Sequence, residues 1–242
     1  MENLINYFDK VYIINLKKRI DRFEEIKKEF EILGINCPSD KIEIFEAVEP
    51  SEKGKWPSIG ARGCFFSHFK IIEKAIELKL KRFIIIEDDL SFYKNSKNLN
   101  DNILEKLKLE NWDLLYLGQN DVENLGKDII WNRYNKEIKC SHFMAFNSIN
   151  LKKLRDFLFQ ISEREEGDPL GGPMHVDGAY NTFRQQNDNI NTFILSPPLG
   201  FQRPSNSDIA ESNSMMYRLF GNKMSNLLRK IKLNYLRNKK FE

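Results

Sequence analysis

The sequence predicts an α/β fold in which a mixed sheet is flanked by helices, and three observations carry that prediction. Short apolar runs of strand length alternate with segments whose apolar residues recur at helical spacing. One run, Phe83-Ile84-Ile85-Ile86, is apolar throughout, as a strand covered on both faces must be. At 242 residues, with 41% hydrophobic and 30% charged residues, the chain can bury a substantial core and is not a disordered segment.

The elements follow in order. VYIINL (11–16) is a buried-strand run, and Ile20, Phe23, Ile26, Phe30 and Leu33 then recur at helical spacing before Gly34, which makes a β-α unit. A loop runs through Pro57. Phe65, Phe69, Ile72, Ala75 and Ile76 mark a second helix, which feeds the strand at 83–86. A helix near Leu99 to Leu107 leads to the strand-like WDLLYLG (112–118). Strand-like patches follow near 128–134 and 142–146, then a helix from about Ile149 to Ile161 with Ser148 as its N-cap, a loop from Gly167 to Pro173, a helix over Val176 to Gln186, and TFIL before Pro197-Pro198. The regular β-α order early and the less regular second half divide the expected domain, 1–210, into a Rossmann-like half at about 1–120 and a second half at about 121–210. Residues 211–242 form a basic amphipathic tail.

Charge and cysteine usage narrow the classes. The tail from Lys223 carries +6, so residues 1–222 sum to −3 within a chain of net +3. An acidic body argues against a nucleic-acid partner. Cys37, Cys64 and Cys140 are widely spaced, with no C-x-x-C pair, which fits a reducing compartment. The acids in MENLINYFDKVYIINL do not fit a signal peptide, and no apolar run approaches membrane-spanning length, so a cytoplasmic location is expected.

Glu87, Asp88 and Asp89 directly follow the apolar strand, and in open α/β sheets ligands bind at the carboxyl ends of strands. Three adjacent carboxylates oppose one another's ionisation, a conflict that a bound cation relieves. Hard oxygen ligands suit Mn²⁺ or Mg²⁺ bridging to a phosphate, so such a site gathers a nucleotide diphosphate. The alternative is a polar strand end that opens a solvated loop.

Several segments, in order, resemble glycosyltransferase family 25, the lipopolysaccharide-type and collagen-type galactosyltransferases. VYIINLKKRIDRFEEI resembles its opening strand and Arg-bearing helix, GARGCFFSHFKII its Gly-Cys-x-x-Ser-His helix, and FIIIEDDLSF its acidic motif. Echoes in DLLYLG, HVDGAY and SPPLGFQRPSNSDI continue to about residue 209. The resemblance implies a GT-A type nucleotide-sugar-binding fold, a UDP-sugar donor, usually UDP-galactose, and inverting transfer. It places Asn15, Leu16 and Arg22 beside the nucleotide, and Glu87, Asp88 and Asp89 on ribose, metal and diphosphate. Many relatives carry an acid two residues before the Gly of the Gly-Cys motif, where this chain has Ala61.

Other candidates are read against plainer roles. Ser67 and His68 share a helix with Phe65, Phe69 and Ile72, so His68 is either a packed core histidine or, with Ser67, a donor-positioning group. Asp177 is the leading candidate for the base that takes the acceptor hydroxyl proton, against a helix N-terminal acid facing the dipole. His175 is a candidate for the metal shell, and His142 is read as structural. Arg203 lies in a polar segment, 202–209, that would close over a donor, with Arg203 meeting phosphate bidentately, or would form an ordinary exposed loop; Gln202 and Asp208 in the same segment are candidates that the family resemblance implies.

In the tail, Met216, Leu219, Phe220, Met224, Leu227, Leu228, Ile231 and Tyr235 form a helical stripe among basic residues. It is read either as a peripheral contact with anionic membrane, where a lipid-linked oligosaccharide acceptor would lie, or as a helix packed on the body. Three functions follow: a metal-dependent glycosyltransferase acting on a glycan or lipid-linked oligosaccharide, a non-catalytic nucleotide- or glycan-binding module, and a sugar nucleotidyltransferase. The last wants a Gly-rich basic loop, and Ile14-Asn15-Leu16-Lys17-Lys18-Arg19 has the bases without the glycines.

Overall fold

The computed structural model describes residues 1–98, 101–120, 129–203 and 227–238. A seven-stranded mixed sheet forms the middle layer. Its strands are β1 (Lys10–Asn15), β2 (Ile42–Glu46), β3 (Arg82–Glu87), β5 (Leu114–Asn120), β6 (Ile130–Arg133), β7 (Lys139–Asn147) and β8 (Thr192–Ser196), in the order β2-β1-β3-β7-β5-β8-β6. The β1–β2, β1–β3 and β5–β8 pairs are parallel, and β7 runs antiparallel between β3 and β5. Two short strands, β4 (Leu90–Phe92) and β9 (Gly200–Gln202), pair antiparallel outside this sheet.

Alternation along the central strands builds two cores. Tyr12, Ile14, Phe83 and Ile85 face the side covered by α3 (Ile59–Glu77), α5 (Leu151–Glu163) and α6 (Val176–Gln185). Val11, Ile13, Ile84 and Ile86 face α1 (Glu2–Tyr7), α2 (Ile20–Ile32) and α4 (Asp101–Leu109). Phe83 to Ile86 are fully buried, as the unbroken apolar run requires. Each such side chain contributes about 1.5–3 kcal/mol of burial free energy, so β3 is among the most firmly held strands, and it delivers the acidic triplet.

The missed elements share a cause. The edge strand β2 interrupts its apolar residues with glutamates, and Glu43 pairs with Lys10 at 3.5 Å and Lys74 at 2.5 Å. Strands β4 and β9 have three residues each and exist through pairing across more than a hundred residues of sequence. The helix expected after Ser148 is preceded by Asn150 at its cap, and the Asn150 amide donates to Asp113 Oδ1 at 2.8 Å instead of capping the helix. By contrast, Ser58 Oγ accepts from the Ala61 N–H at 3.0 Å and starts α3. Both expected halves contribute strands to the one large sheet. Among the described residues, no helix is long and apolar enough to cross a membrane.

Candidate active site

The acidic triplet leaves β3 at its carboxyl end, and its three carboxylates enter three different environments. Glu87 Oε1 lies 3.5 Å from His68 Nε2, 3.7 Å from Cys64 Sγ and 3.5 Å from Ser141 Oγ. Asp88 turns the other way. Its Oδ1 accepts from Arg22 Nη1 at 2.8 Å and its Oδ2 from Asn15 Nδ2 at 2.8 Å, so the end of β1 and the start of α2 hold it. Asp89 Oδ2 accepts from Gln202 Nε2 at 3.1 Å and lies 3.6 Å from Arg22, while its Oδ1 is buried with no hydrogen-bond partner.

The electrostatics follow from these surroundings. Burial, then the charge of Glu87, pushes the Asp89 carboxyl up to about 7, with Asp88 adding to the rise and Gln202 and Arg22 opposing it. Burial also acts to raise Glu87, but contact with His68 outweighs it and holds Glu87 below the ordinary carboxylate range. Burial lowers His142 to about 4, so this imidazole is neutral at pH 7. Burial, reinforced by Glu87, raises the Cys64 thiol well above its usual value.

A cleft of 220 Å³ opens beside Glu87, lined also by Ala61 and Cys64 of α3, by Cys140, Ser141 and His142 of β7, by His175, Val176 and Asp177 at the start of α6, and by Gln202. Asp177 is half-buried, and its Oδ2 accepts from the Cys140 N–H at 3.3 Å and its Oδ1 from the Gly178 N–H at 2.9 Å. Both bonds are with backbone, which leaves carboxylate lone pairs facing the cleft. Cys140 sits at φ +70°, a left-handed conformation that non-glycine residues rarely adopt and that concentrates at functional sites.

Two expected site residues have other roles. Ser67 is fully buried, and its hydroxyl donates to the Gly63 carbonyl at 2.7 Å and accepts from the Val48 N–H at 2.9 Å, so it is spent on packing α3. Arg203 is 4% exposed and does not reach outward for a phosphate. Its guanidinium donates to the Asp88 and Leu90 carbonyls, the latter at 2.6 Å, and lies 3.4 Å from Glu25 and 3.9 Å from Glu29. Its N–H donates to the Asp89 carbonyl at 2.6 Å. Arg203 therefore clamps the backbone of the acidic loop from behind.

The remaining candidates divide plainly. Asn15, Arg22 and Gln202 converge on Asp88 and Asp89, as described. Leu16 is half-buried where β1 ends. His68 is fully buried, with Nδ1 3.0 Å from the Tyr180 hydroxyl, and so touches Glu87 from the core side. Asp208 lies outside the described residues. Cys64, Cys140, Ser141 and Tyr180 join the site without having been expected there. Gly63 has a steric reason: a Cβ there would stand 2.6 Å from the Val48 carbonyl oxygen.

The order of these parts along the chain matches a known family. The profile of glycosyltransferase family 25 (LPS biosynthesis protein) covers residues 8–164, from before β1 to the end of α5. The chain belongs to glycosyltransferase family 25. Among family 25 relatives, procollagen galactosyltransferase 1-B of Xenopus laevis is 30% identical over 134 residues, which cover 48% of this chain and 22% of that one. Inactive glycosyltransferase 25 family member 3 of Homo sapiens is 29% identical over 133 residues, with the same coverage. The match thus spans about a fifth of the length of these curated relatives. A crystal structure of a glycosyltransferase involved in the glycosylation of the major capsid of PBCV-1 superposes with a TM-score of 0.51 at 14% identity, over 85% of this chain and 98% of that one. The fold is of GT-A type, the architecture of nucleotide-sugar-dependent transferases. The family profile ends before Asp177, so it covers the acidic loop and not α6.

Proposed function

We propose that this family 25 chain is an inverting, metal-dependent galactosyltransferase that moves galactose from UDP-galactose to a hydroxyl of a glycan or lipid-linked oligosaccharide. The observation that carries this reading is Asp89. Its Oδ1 is buried and unpartnered among like charges at the carboxyl end of β3, and its neighbours Glu87 and Gln202 line the cleft. An orphaned anionic oxygen fits a hard divalent cation, Mn²⁺ or Mg²⁺. Asp89 is the first ligand, with Glu87 and His175 as the further candidates. A cation held there would act as a Lewis acid on the departing diphosphate.

The chain's own groups take the other roles. Arg22 and Asn15 fix Asp88, one on each carboxylate oxygen, and so hold the turn of the acidic loop. Gln202 joins β9 to Asp89 and lines the cleft. Asp177, which lines the same cleft as Glu87, takes the acceptor hydroxyl proton as the sugar is attacked opposite its leaving group. UDP-galactose turnover with and without Mn²⁺ tests the reading. Asp89→Ala should abolish UDP release while the fold survives, and full activity in that variant or in excess EDTA overturns it.

A second reading, a non-catalytic nucleotide- or glycan-binding module, is favoured by one observation: relatives at similar identity include members named inactive. It predicts UDP binding without turnover over any acceptor panel.

The tail adds a proposal about place, a peripheral contact with anionic membrane from the cytoplasmic side. In the helical segment 227–237, Leu227, Ile231 and Tyr235 are 52%, 57% and 72% exposed, while Arg229 donates to both Glu25 carboxylate oxygens at 2.8 and 2.7 Å and Arg237 pairs with Glu29. With arginines turned to the body, part of the apolar stripe is left outward, as an interfacial helix needs. Unchanged binding to anionic vesicles after deletion of 223–242 would end this proposal.

A further inference from the structure

Beside the acidic loop lies a second cluster with a different chemistry. Cys64 and His68 are one turn apart on α3 and face Glu87 at the end of β3. Their ligand atoms, Cys64 Sγ, His68 Nε2 and Glu87 Oε1, all fall within 4.8 Å of one another. The imidazole is already oriented, because Nδ1 meets the Tyr180 hydroxyl at 3.0 Å, which directs Nε2 at the cluster. Nε2 is fully buried and has no hydrogen-bond partner.

The spacing at His68 is too long for a hydrogen bond, while that at Cys64 suits a weak S–H···O contact and a coordination edge equally. His68 Nε2 to Glu87 Oε1 is 3.5 Å, longer than the 2.7–3.2 Å of an N–H···O bond. Cys64 Sγ to Glu87 Oε1 is 3.7 Å. Around a tetrahedral zinc with ordinary Zn–S, Zn–N and Zn–O lengths, the N···O and S···O edges come to about 3.4 and 3.6 Å. Both observed separations lie within about 0.1–0.2 Å of those edges. The fourth position would face the cleft, whose wall includes Cys64, Glu87 and Ser141.

We infer that Cys64, His68 and Glu87 form a three-ligand site for a thiophilic divalent cation of the Zn²⁺ class, adjoining the hard-cation position at Asp89 with Glu87 between the two. The mixed sulfur, nitrogen and oxygen set selects zinc or cobalt over Mn²⁺ or Mg²⁺. Binding forms the metal–sulfur bond as Cys64 loses its thiol proton to solvent, so affinity rises with pH. The Tyr180 hydroxyl then holds the ligating histidine from behind, the usual arrangement for a metal-bound imidazole.

The test is titration of the metal-free full chain with Co²⁺, followed by absorption spectroscopy. A thiolate-to-cobalt charge-transfer band should rise to one equivalent, fall on addition of one equivalent of Zn²⁺, and resist a large excess of Mn²⁺. Cys64→Ser, with its circular dichroism unchanged, should lose the band, and His68→Gln should weaken cobalt binding by at least tenfold. If His68→Gln does not fold, Cys64→Ser decides alone. Absence of the band, or a band that survives Cys64→Ser and so belongs to Cys37 or Cys140, overturns the site. Asp89→Asn should keep the cobalt band, so this inference and the galactosyltransferase reading fail independently.

Discussion

Replacing Asp89 with asparagine should make the metal-free protein more stable, and the gain should depend on pH. The carboxyl has its value raised to about 7 by burial first and then by Glu87, with one oxygen left unpartnered. A rise of about three units corresponds to about 4 kcal/mol of preference for the protonated form. Asparagine keeps the shape and an oxygen for Gln202 while removing the charge, so it should recover between about 1 and 4 kcal/mol above pH 7, the lower end if neighbouring carboxylates already relax. Between about pH 4 and pH 7 the folded state holds a proton on Asp89 that the unfolded chain has released. Wild-type stability therefore falls through that window as pH rises and levels off above it. The variant lacks this fall, so the gap is near zero at about pH 4 and full at pH 8. Urea denaturation at both pH values in EDTA measures it, as does a melting temperature shift of about 2–4 °C per kcal/mol for a chain of this size. Mn²⁺ should raise the melting temperature of wild type at pH 8 and leave the variant unmoved. A variant no more stable than wild type at pH 8, or a gap that does not change with pH, refutes the claim that Asp89 is a destabilised, cation-ready carboxylate.

Three further perturbations probe the supports around the loop. Gly63→Ala drives a Cβ to 2.6 Å from the Val48 carbonyl oxygen and should cost about 1–3 kcal/mol in urea denaturation, since backbone must move. Arg203→Ala removes donors from the Asp88 and Leu90 carbonyls and a counter-charge from the buried Glu29, for an expected loss of about 3–5 kcal/mol; Arg203→Lys should recover less than half, because an ammonium cannot span both carbonyls. Asp177→Asn should lower kcat by about 10²–10⁴-fold in initial-rate assays and leave the KM for the sugar donor unchanged.

What the sequence made legible was what periodicity and position control. Phe83 to Ile86 read as a strand covered on both faces because all four are apolar, and the carboxylates after it read as a strand-end site because sheets present ligands there. The helices at 20–33, 65–76 and 149–161 announced themselves by their stripes. Position along the chain said nothing about direction. Ser67 precedes His68 on the same helix, yet a step of one residue turns it to Val48 while His68 faces Glu87. Arg203 carried the signal of a phosphate ligand, a cation in a late polar loop, but its partners Glu25 and Glu29 sit on α2, and only the tertiary fold brings them behind the loop. Cys64 stood in the Gly-Cys-x-x-Ser-His motif with no role attached to it, and Cys140 had no signal beyond being a cysteine. Their place in the cleft is set by the packing of α3 and by the left-handed turn into β7.

The triplet itself shows why counting carboxylates overstates a metal site. Successive residues leaving a strand point to opposite sides, so Asp88 turns away from Glu87, and the three carboxylates cannot all converge on one ion as three neighbours in sequence seem to promise. Glu87 goes to the α3 side with Cys64 and His68, and Asp88 goes to Arg22 and Asn15, where a full ion pair and an amide leave it little left to give. Only Asp89 keeps a buried oxygen without a partner. The loop is held in that arrangement from behind by Arg203, which is tied through Glu25 and Glu29 to the same α2 acids that the tail arginines grip. Exposed pairs of this kind contribute little singly, but Glu29 is buried and also receives the Ser91 hydroxyl at 3.0 Å and the Phe92 N–H at 3.1 Å. Strand β4 is thereby anchored to α2, and the single free oxygen at Asp89 is held in place by a network whose far end is the C-terminal helix.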